Sequence, residues 1–170
     1  PATIGVVRGQ PVVGLSEDEI RELAYDDDVT KASIRDLSYA AVTGKNAGTT
    51  IAATALLARA AGIDVFATGG LGGVHHGASE SFDESADMYA LAEIPIVLIS
   101  SGAKAILDIR ATLERFETLS VPVVGYRTDR YPGFYVADSD YPLTARVDEP
   151  SDVAMMVDTQ KNLGIHRAGP

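Results

Sequence analysis

The alternation of apolar and polar positions in the first third of the chain predicts short strands followed by capped helices. Val and Ile cluster between glycines, a pattern typical of strands. Ser16 precedes Glu19 by three residues, which is the spacing of a capping box, and the helix that follows has apolar residues on one face. A run rich in Ala and Leu before Gly62 has the composition of a buried helix that this glycine ends. In chain order, these patterns predict strands at 4–7 and 12–13 and helices at 17–25, 33–42 and 49–61.

Apolar strands and helices alternate through the rest of the chain. Strands are predicted at 63–67, 94–100 and 121–126, with edge-type β structure at 135–147, and helices around 113–119 and at 151–164 after a Ser151 cap. Helices alternating with apolar strands are typical of parallel sheets covered by helices. The predicted fold class is therefore α/β, with a mostly parallel central sheet and helices on both faces (α/β/α). We expect one domain over residues 1–170.

Composition and charge exclude several classes of protein. The 170 residues include no Cys, which rules out disulfides, thiol nucleophiles and Cys-based zinc sites. No apolar run approaches the ~20 residues that span a bilayer, and the chain begins without the charged segment of a secretion signal, so a cytoplasmic location is predicted. The net charge of −10 argues against nucleic acid as the main partner. A phosphorylated small molecule still fits if its site is locally positive or holds a metal.

A glycine-rich loop follows the predicted strand at 63–67. Residues 68–77 contain five glycines, which let backbone N–H groups approach an anion closely and supply positive φ angles. The loop lacks the Gly-Lys-Ser/Thr ending of a P-loop and the spacing of a dinucleotide fingerprint. Two interpretations stay open: a ligand cradle and a tight structural turn.

Lysine is rare in this sequence, and one lysine lies where a strand is predicted to end. Lys104 follows small residues at the predicted start of a helix, whose positive end and partial burial favour the neutral amine that Schiff-base chemistry at a sugar aldehyde requires. An anion-binding or surface lysine is the alternative. Lys31, and Lys45 ahead of a predicted helix, are candidate phosphate contacts. The four lysines are Lys31, Lys45, Lys104 and Lys161.

Acidic residues and histidines lie between the two loops. Asp83 and Asp87 are four residues apart, so on a helix they share a face. Carboxylate oxygens suit Mg²⁺ or Mn²⁺. Alternatively, Ser85 is an N-cap and these residues are structural. His75 and His76 are candidate metal ligands or acid–base groups, although adjacent histidines alone do not have zinc-site spacing.

Five motifs that occur together and in order carry a resemblance over essentially the whole chain. They are Val29–Lys31, Gly44–Thr50, Phe66–His75, Phe82–Asp87 and Ser101–Asp108. With these motifs, the chain resembles the pseudouridine-5′-phosphate glycosidase family, which includes the indigoidine-cluster A proteins. Members of that family begin earlier, with a Ser-Thr-rich segment and a proton-donating glutamate, and continue to an Asn-Pro motif. The resemblance thus implies the central part of a longer domain, truncated at both ends and of impaired activity.

The resemblance implies an enzyme that reversibly cleaves the C–C glycosidic bond of pseudouridine 5′-phosphate to uracil and ribose 5-phosphate. Lys104 matches the nucleophile that holds ribose C1′ as an imine, and Asp83 matches the ligand of a divalent metal, typically Mn²⁺ but not distinguished from Mg²⁺. A cytoplasmic homotrimer is implied. The alternative is a non-catalytic phosphosugar-binding α/β module. The matched substrate-binding positions are Lys31, Ile51, Ser85, Ala86 and Asp87, with Thr68 and His75 on the ribose-phosphate side.

Overall fold

A computed structural model describes residues 1–104, 106–135 and 139–165 of the chain. The chain divides into two compact units, Pro1–Ile63 and Asp64–Pro170, each with its own elements. The single domain predicted over residues 1–170 stays a prediction. Within the described ranges, no helix combines the length and apolar character needed to cross a bilayer.

A four-stranded sheet forms the centre of the first unit. Its strand order is β2-β1-β4-β3, and only the β3–β4 pair is parallel. The first two strands are confirmed, whereas the two three-residue strands were not predicted because they are short and rich in small or polar residues. The strands are β1 (Ile4–Val7), β2 (Gln10–Val13), β3 (Thr30–Ala32) and β4 (Ala47–Thr49).

Three helices of the first unit follow their capping signals. The capping box of Ser16 and Glu19 is confirmed, with the Ser16 hydroxyl accepting a hydrogen bond from the Glu19 N–H. The third helix starts at Ile51, not at residue 49, because Thr49 belongs to β4 and Thr50 is the N-cap. The helices are α1 (Glu17–Tyr25), α2 (Leu37–Thr43, after a 3₁₀ turn at Ile34–Asp36) and α3 (Ile51–Ala60). The buried core cluster consists of Val6, Ala32, Ala40 and Ala47.

The second unit combines helices with very short strands. Its helices are α4 (Ala78–Ser81), α5 (Ala86–Glu93), α6 (Ile109–Thr118) and α7 (Pro150–Asn162). Its strands are β5 (Val65–Ala67), β6 (Val74–His75), β7 (Val97–Ile99), β8 (Leu107–Asp108), β9 (Gly125–Tyr126) and β10 (Arg146–Val147). Strands β5 and β7 pair in parallel, as do β9 and β10, whereas β6 and β8 pair antiparallel.

The α/β class is confirmed, but the arrangement of the sheet differs from the prediction. Among the described residues, the strands form four separate sheets instead of one central sheet: two are parallel, one is antiparallel and the four-stranded sheet is mixed. Proline explains part of the shortening, because it has no N–H to donate to a neighbouring strand. Pro95 precedes β7, and Pro122 lies in the predicted strand at 121–126, of which only Gly125–Tyr126 pairs. Of the β structure predicted at 135–147, residues 136–138 lie outside the described ranges.

In the second unit, two predicted helix starts are wrong. The last helix is capped by Glu149, not Ser151, because Pro150 occupies the first helical position, where a missing N–H has no cost. The helix predicted directly after Lys104 begins only at Ile109, since the paired residues of β8 come first and Asp108 is its N-cap.

Candidate active site

The two loops singled out in the sequence lie side by side in the second unit. They follow β5 and β7, whose carboxyl ends meet at one edge because the strands are parallel. The Thr68 N–H donates to the Ile99 carbonyl over 2.9 Å, and the Leu71 N–H donates to the Gly102 carbonyl over 3.1 Å. Between these bonds, the Ser101 N–H donates to the Gly69 carbonyl over 3.1 Å. The backbone therefore joins the glycine-rich loop to the residues directly before Lys104.

The glycines of this loop allow other parts of the unit to approach its backbone. A Cβ on Gly70 would lie 2.5 Å from Cε2 of Phe134, and a Cβ on Gly72 would lie 2.6 Å from Cβ of Ser85. A Cβ on Gly73 would lie 2.8 Å from a methyl carbon of Thr112. Only Gly77 of the five loop glycines has a positive φ, of 80°. These contacts support the structural interpretation of the loop, and the ligand cradle stays a prediction.

Ser85 and Asp87 connect α5 to the glycine-rich loop. The Ser85 hydroxyl caps α5 by accepting the Asp87 N–H over 3.2 Å. Asp87 is only 8 % exposed, and its Oδ2 accepts the Gly72 N–H over 3.1 Å. The N-cap predicted at Ser85 is thus confirmed, and a contact of Ser85 with substrate stays a prediction. Ala86, the first residue of α5, is exposed.

Asp83 and Asp87 do not share a helix face, so this expectation is wrong. The Ser85 cap starts the helix at Ala86, which leaves Asp83 in the preceding segment with a side chain that is 64 % exposed. The Asp83 carbonyl accepts the His75 N–H over 3.0 Å, and the Asp83 Oδ2 lies 3.8 Å from Nδ1 of His75. His75 belongs to β6 and is itself half exposed.

The donor set near Asp83 suits a hydrated hard cation and not an all-protein cage. Among the described residues, no group of three or more His, Asp or Glu side chains could enclose a metal ion. Mg²⁺ keeps several waters and is commonly held by one or two carboxylates, and Mn²⁺ also prefers oxygen ligands. The exposed Asp83 carboxylate is compatible with that mode of binding. The His75 side chain, with Nδ1 3.8 Å from the Asp83 carboxylate, lies next to this position.

Lys104 is exposed beside an aromatic ring. Its Nζ lies 5.8 Å from the ring centroid of Phe134, within the range of cation–π contacts. Because β8 intervenes before α6, Lys104 does not lie at a helix N-terminus, and the predicted helix-dipole effect is wrong. The residues before it, Gly102 and Ala103, are buried, and Ala103 forms a parallel bridge with Leu71.

A segment that sequence reasoning missed, residues 131–134, packs against the Lys104 loop. The Phe134 N–H donates to the Ser101 carbonyl over 3.0 Å. A Cβ on Gly102 would lie 3.0 Å from Cε1 of Tyr131 and 3.1 Å from the carbonyl carbon of Pro132, and Gly102 has a φ of 82°. The only sequence signal is a pair of aromatic residues around Pro-Gly.

Tyr131 is the most deeply buried titratable group described near the site. Its side chain is 3 % exposed, and its hydroxyl has no hydrogen-bond partner among the described residues. Burial raises the pKa of Tyr131 to about 12. The phenol is therefore neutral under ordinary conditions.

The other predicted substrate contacts lie in the first unit. Lys31 is an exposed residue of β3, paired in register with Gly48, and Ile51 is the half-buried first residue of α3. The Thr50 N–H donates to the Ala32 carbonyl over 2.9 Å, which places the end of β3 beside the start of α3. The expectation that residues 45–50 lead directly into a helix is wrong, because β4 occupies Ala47–Thr49.

The family model and the curated relatives that match this chain agree with one another. The family model described as "Indigoidine synthase A like protein" matches residues 1–169. The chain is 61 % identical over 168 residues to the pseudouridine-5′-phosphate glycosidase of Saccharopolyspora erythraea and covers 55 % of that protein. It is 53 % identical over 165 residues to the enzyme of that name from Thermus thermophilus and covers 57 % of it. The chain thus spans about half the length of these relatives.

Two solved structures share the fold. An indigoidine synthase A-like protein from Thermotoga maritima superimposes with a TM-score of 0.91 at 36 % identity, covering 98 % of this chain and 56 % of its own. A prealnumycin C-glycosynthase in complex with ribulose 5-phosphate superimposes with a TM-score of 0.93 at 38 % identity, covering 99 % of this chain and 56 % of its own.

Proposed function

The chain belongs to the indigoidine synthase A-like protein family, and on this basis we propose that it is the nucleophile-bearing part of a pseudouridine-5′-phosphate glycosidase. The proposed reaction cleaves the bond between ribose C1′ and a uracil carbon, reversibly, to give uracil and ribose 5-phosphate. The observation that carries the proposal is the backbone pairing of the glycine-rich loop with the loop that ends at Lys104. The complex of a related C-glycosynthase with ribulose 5-phosphate supports a pentose-phosphate substrate.

In this proposal, Lys104 carries the chemistry. Its neutral amine bonds to C1′ as the C1′–O4′ bond of the ribose ring breaks, and the proton that the nitrogen loses passes to O4′. The uracil carbon is then protonated. The nitrogen lone pair forms a C=N bond to C1′ while the C–C bond breaks, and the electron pair of the C–C bond stays with the uracil that leaves. Water then hydrolyses the imine and releases ribose 5-phosphate and the amine. The exposed position of Lys104, next to the small residues Gly102 and Ala103, leaves room for a sugar at its amine.

We propose that Asp83 holds a divalent cation, Mn²⁺ or Mg²⁺, through its exposed carboxylate and through water. Bound there, the cation would offset the negative charge of the phosphosugar. His75, with Nδ1 3.8 Å from the Asp83 carboxylate, is proposed to hydrogen-bond the ribose-phosphate side of the substrate, as is Thr68. A local positive charge is needed because the chain carries a net charge of −10.

The remaining substrate positions and the assembly stay predictions. They are Lys31 and Ile51 in the first unit, Ser85–Asp87 at the start of α5, a homotrimer and a cytoplasmic location. The burial of Asp87 and its bond to Gly72 indicate that this carboxylate also supports the glycine-rich loop.

Reductive trapping tests the nucleophile. We expect that incubating the protein with ribose 5-phosphate and borohydride adds one reduced pentose phosphate to Lys104, found by peptide mass spectrometry. Lys104→Ala should lose the adduct, and Lys161→Ala, which removes an exposed lysine of α7, should keep it. Modification spread over other lysines, with Lys104 unlabelled, would overturn the assignment.

A second measurement separates catalysis from simple binding. Release of uracil from pseudouridine 5′-phosphate, lost with Lys104→Ala and with a chelator and restored by Mn²⁺, would establish the glycosidase. Saturable binding of ribose 5-phosphate that survives Lys104→Ala and needs no metal, without release of uracil, would instead indicate a phosphosugar-binding module. Light scattering of the same sample tests the trimer.

A further inference from the structure

We propose that Phe134 is a positioning residue: the face of its ring holds the Lys104 amine in place, and the same ring packs against the glycine-rich loop. This inference rests on the proposed role of Lys104 as the nucleophile. It adds a residue to which neither the sequence motifs nor the resemblance assigns a role.

The Phe134 ring lies between the two loops of the site. On one side, a Cβ on Gly70 would lie 2.5 Å from Cε2 of the ring, and a Cβ on Gly69 would lie 3.6 Å from the same atom. On the other side, the Nζ of Lys104 lies 5.8 Å from the ring centroid. The ring thus contacts the glycine-rich loop at Gly70, where a Cβ would overlap it, and it reaches the amine of the neighbouring loop.

The backbone holds this ring in place. Phe134 has a φ of 65°, in the left-handed region that a non-glycine residue rarely adopts, and its N–H donates to the Ser101 carbonyl over 3.0 Å. The ring of Tyr135 packs edge-on against that of Phe134, with centroids 4.5 Å apart and an interplanar angle of 87°. Three residues before Phe134, Tyr131 is buried, and the Tyr131 N–H donates to the Tyr141 carbonyl over 2.9 Å. These contacts orient Phe134 independently of Lys104.

An aromatic face suits a lysine that must act as a nucleophile. The lysine side chain has four flexible carbons, and an unrestrained amine samples many positions. Either a carboxylate or the face of a ring would restrain it, and both attract the ammonium form, which cannot attack a carbon. The ring differs from a carboxylate in forming no charge-assisted hydrogen bond to that form. Among the described residues Lys104 makes no salt bridge, so the ring of Phe134 is the partner the structure shows for its amine.

Two substitutions of Phe134 distinguish the effect of its aromatic ring from the effect of an apolar side chain of similar size. Phe134→Leu keeps an apolar side chain but removes the ring, and Phe134→Tyr keeps the ring. An exposed cation–π contact corresponds to about a 2- to 5-fold effect. Because the ring attracts the unreactive ammonium form, loss of this attraction alone would speed trapping at Lys104 by about this factor. Since the ring positions the amine, we expect Phe134→Leu instead to slow reductive trapping of ribose 5-phosphate about 2- to 5-fold, with its dissociation constant nearly unchanged, and Phe134→Tyr to restore the rate. Faster trapping in Phe134→Leu would overturn the inference. Tyr126→Leu is the matched control, because it removes another cation–π pair, with Arg127 at 5.1 Å from the ring centroid.

A measurement without substrate tests the position itself. In protein labelled with ¹³C-lysine, the ring current of Phe134 should displace the Lys104 methylene signals in the native protein and in Phe134→Tyr, but not in Phe134→Leu. An unchanged Lys104 spectrum in Phe134→Leu overturns the inference, as does a trapping rate that falls only in proportion to binding or folding. Failure of trapping at Lys104 in the native protein, with the ring-current shift present, would overturn the proposed function and leave the seating of Lys104 on the ring intact.

Discussion

The buried hydroxyl of Tyr131 makes the stability of the protein depend on pH in the alkaline range. Its pKa is raised by burial to about 12, against about 10 in an unfolded chain. Between these two values the unfolded chain has lost the proton while the folded protein still holds it. The contribution of the neutral phenol is therefore complete below pH 10 and is lost as pH rises toward 12.

The size of this effect follows from the shift, since one pKa unit corresponds to about 1.4 kcal/mol. By pH 11, one unit above the unfolded value, about 1.4 kcal/mol of the free energy of unfolding should have been lost through Tyr131 alone, with little screening because the residue is 3 % exposed. Tyr131→Phe removes the titrating group and an unpaired buried hydroxyl, so at pH 8 we expect it to be neutral or stabilising by up to about 1 kcal/mol.

Urea denaturation of the native protein and of Tyr131→Phe at pH 8, 9, 10 and 11 measures both effects. The difference in free energy of unfolding between the two proteins should grow with pH in favour of the variant. Tyr126→Phe, which removes the hydroxyl of a half-exposed tyrosine, is the control and should not show this growth. Parallel pH profiles for native protein and Tyr131→Phe would refute the reasoning, because a buried neutral phenol must resist ionisation.

Three further substitutions test the packing around the glycine-rich loop, each by urea denaturation. Gly72→Ala should destabilise by about 1–3 kcal/mol, because its Cβ would lie 2.6 Å from Cβ of Ser85, whereas Gly48→Ala, with nothing within 4 Å, should change stability little. Ser85→Ala should cost about 1 kcal/mol through loss of the α5 cap; an unchanged midpoint would contradict this. Thr112→Val should cost about 1–3 kcal/mol, because it leaves the buried Val74 N–H without its 2.9 Å partner, and Thr112→Ser should retain most of the stability.

Local signals in the sequence were sufficient for the ends of several elements. The capping box at Ser16 and the end of α3 just before Gly62, which has a φ of 77°, depend on hydrogen bonds within three or four residues, so the neighbouring residues determine them. The α/β class and the two loops after β5 and β7 could be predicted because helices alternate with short apolar strands along the chain, and the family motifs could be recognised because each is a continuous run of residues. Strand lengths and sheet membership were not, because strand partners are distant in sequence.

Only the tertiary structure decided how the site is supported. From the sequence, Asp83 and Asp87 were expected on one helix face, but the Ser85 cap separates them and turns Asp87 inward to the Gly72 N–H. Spacing carried no sign that Phe134 reaches Lys104, thirty residues earlier in the chain. Both cases have the same physical reason. The sequence shows which chemical group a side chain carries, but its contacts depend on packing between segments that are far apart in the sequence and meet only on folding.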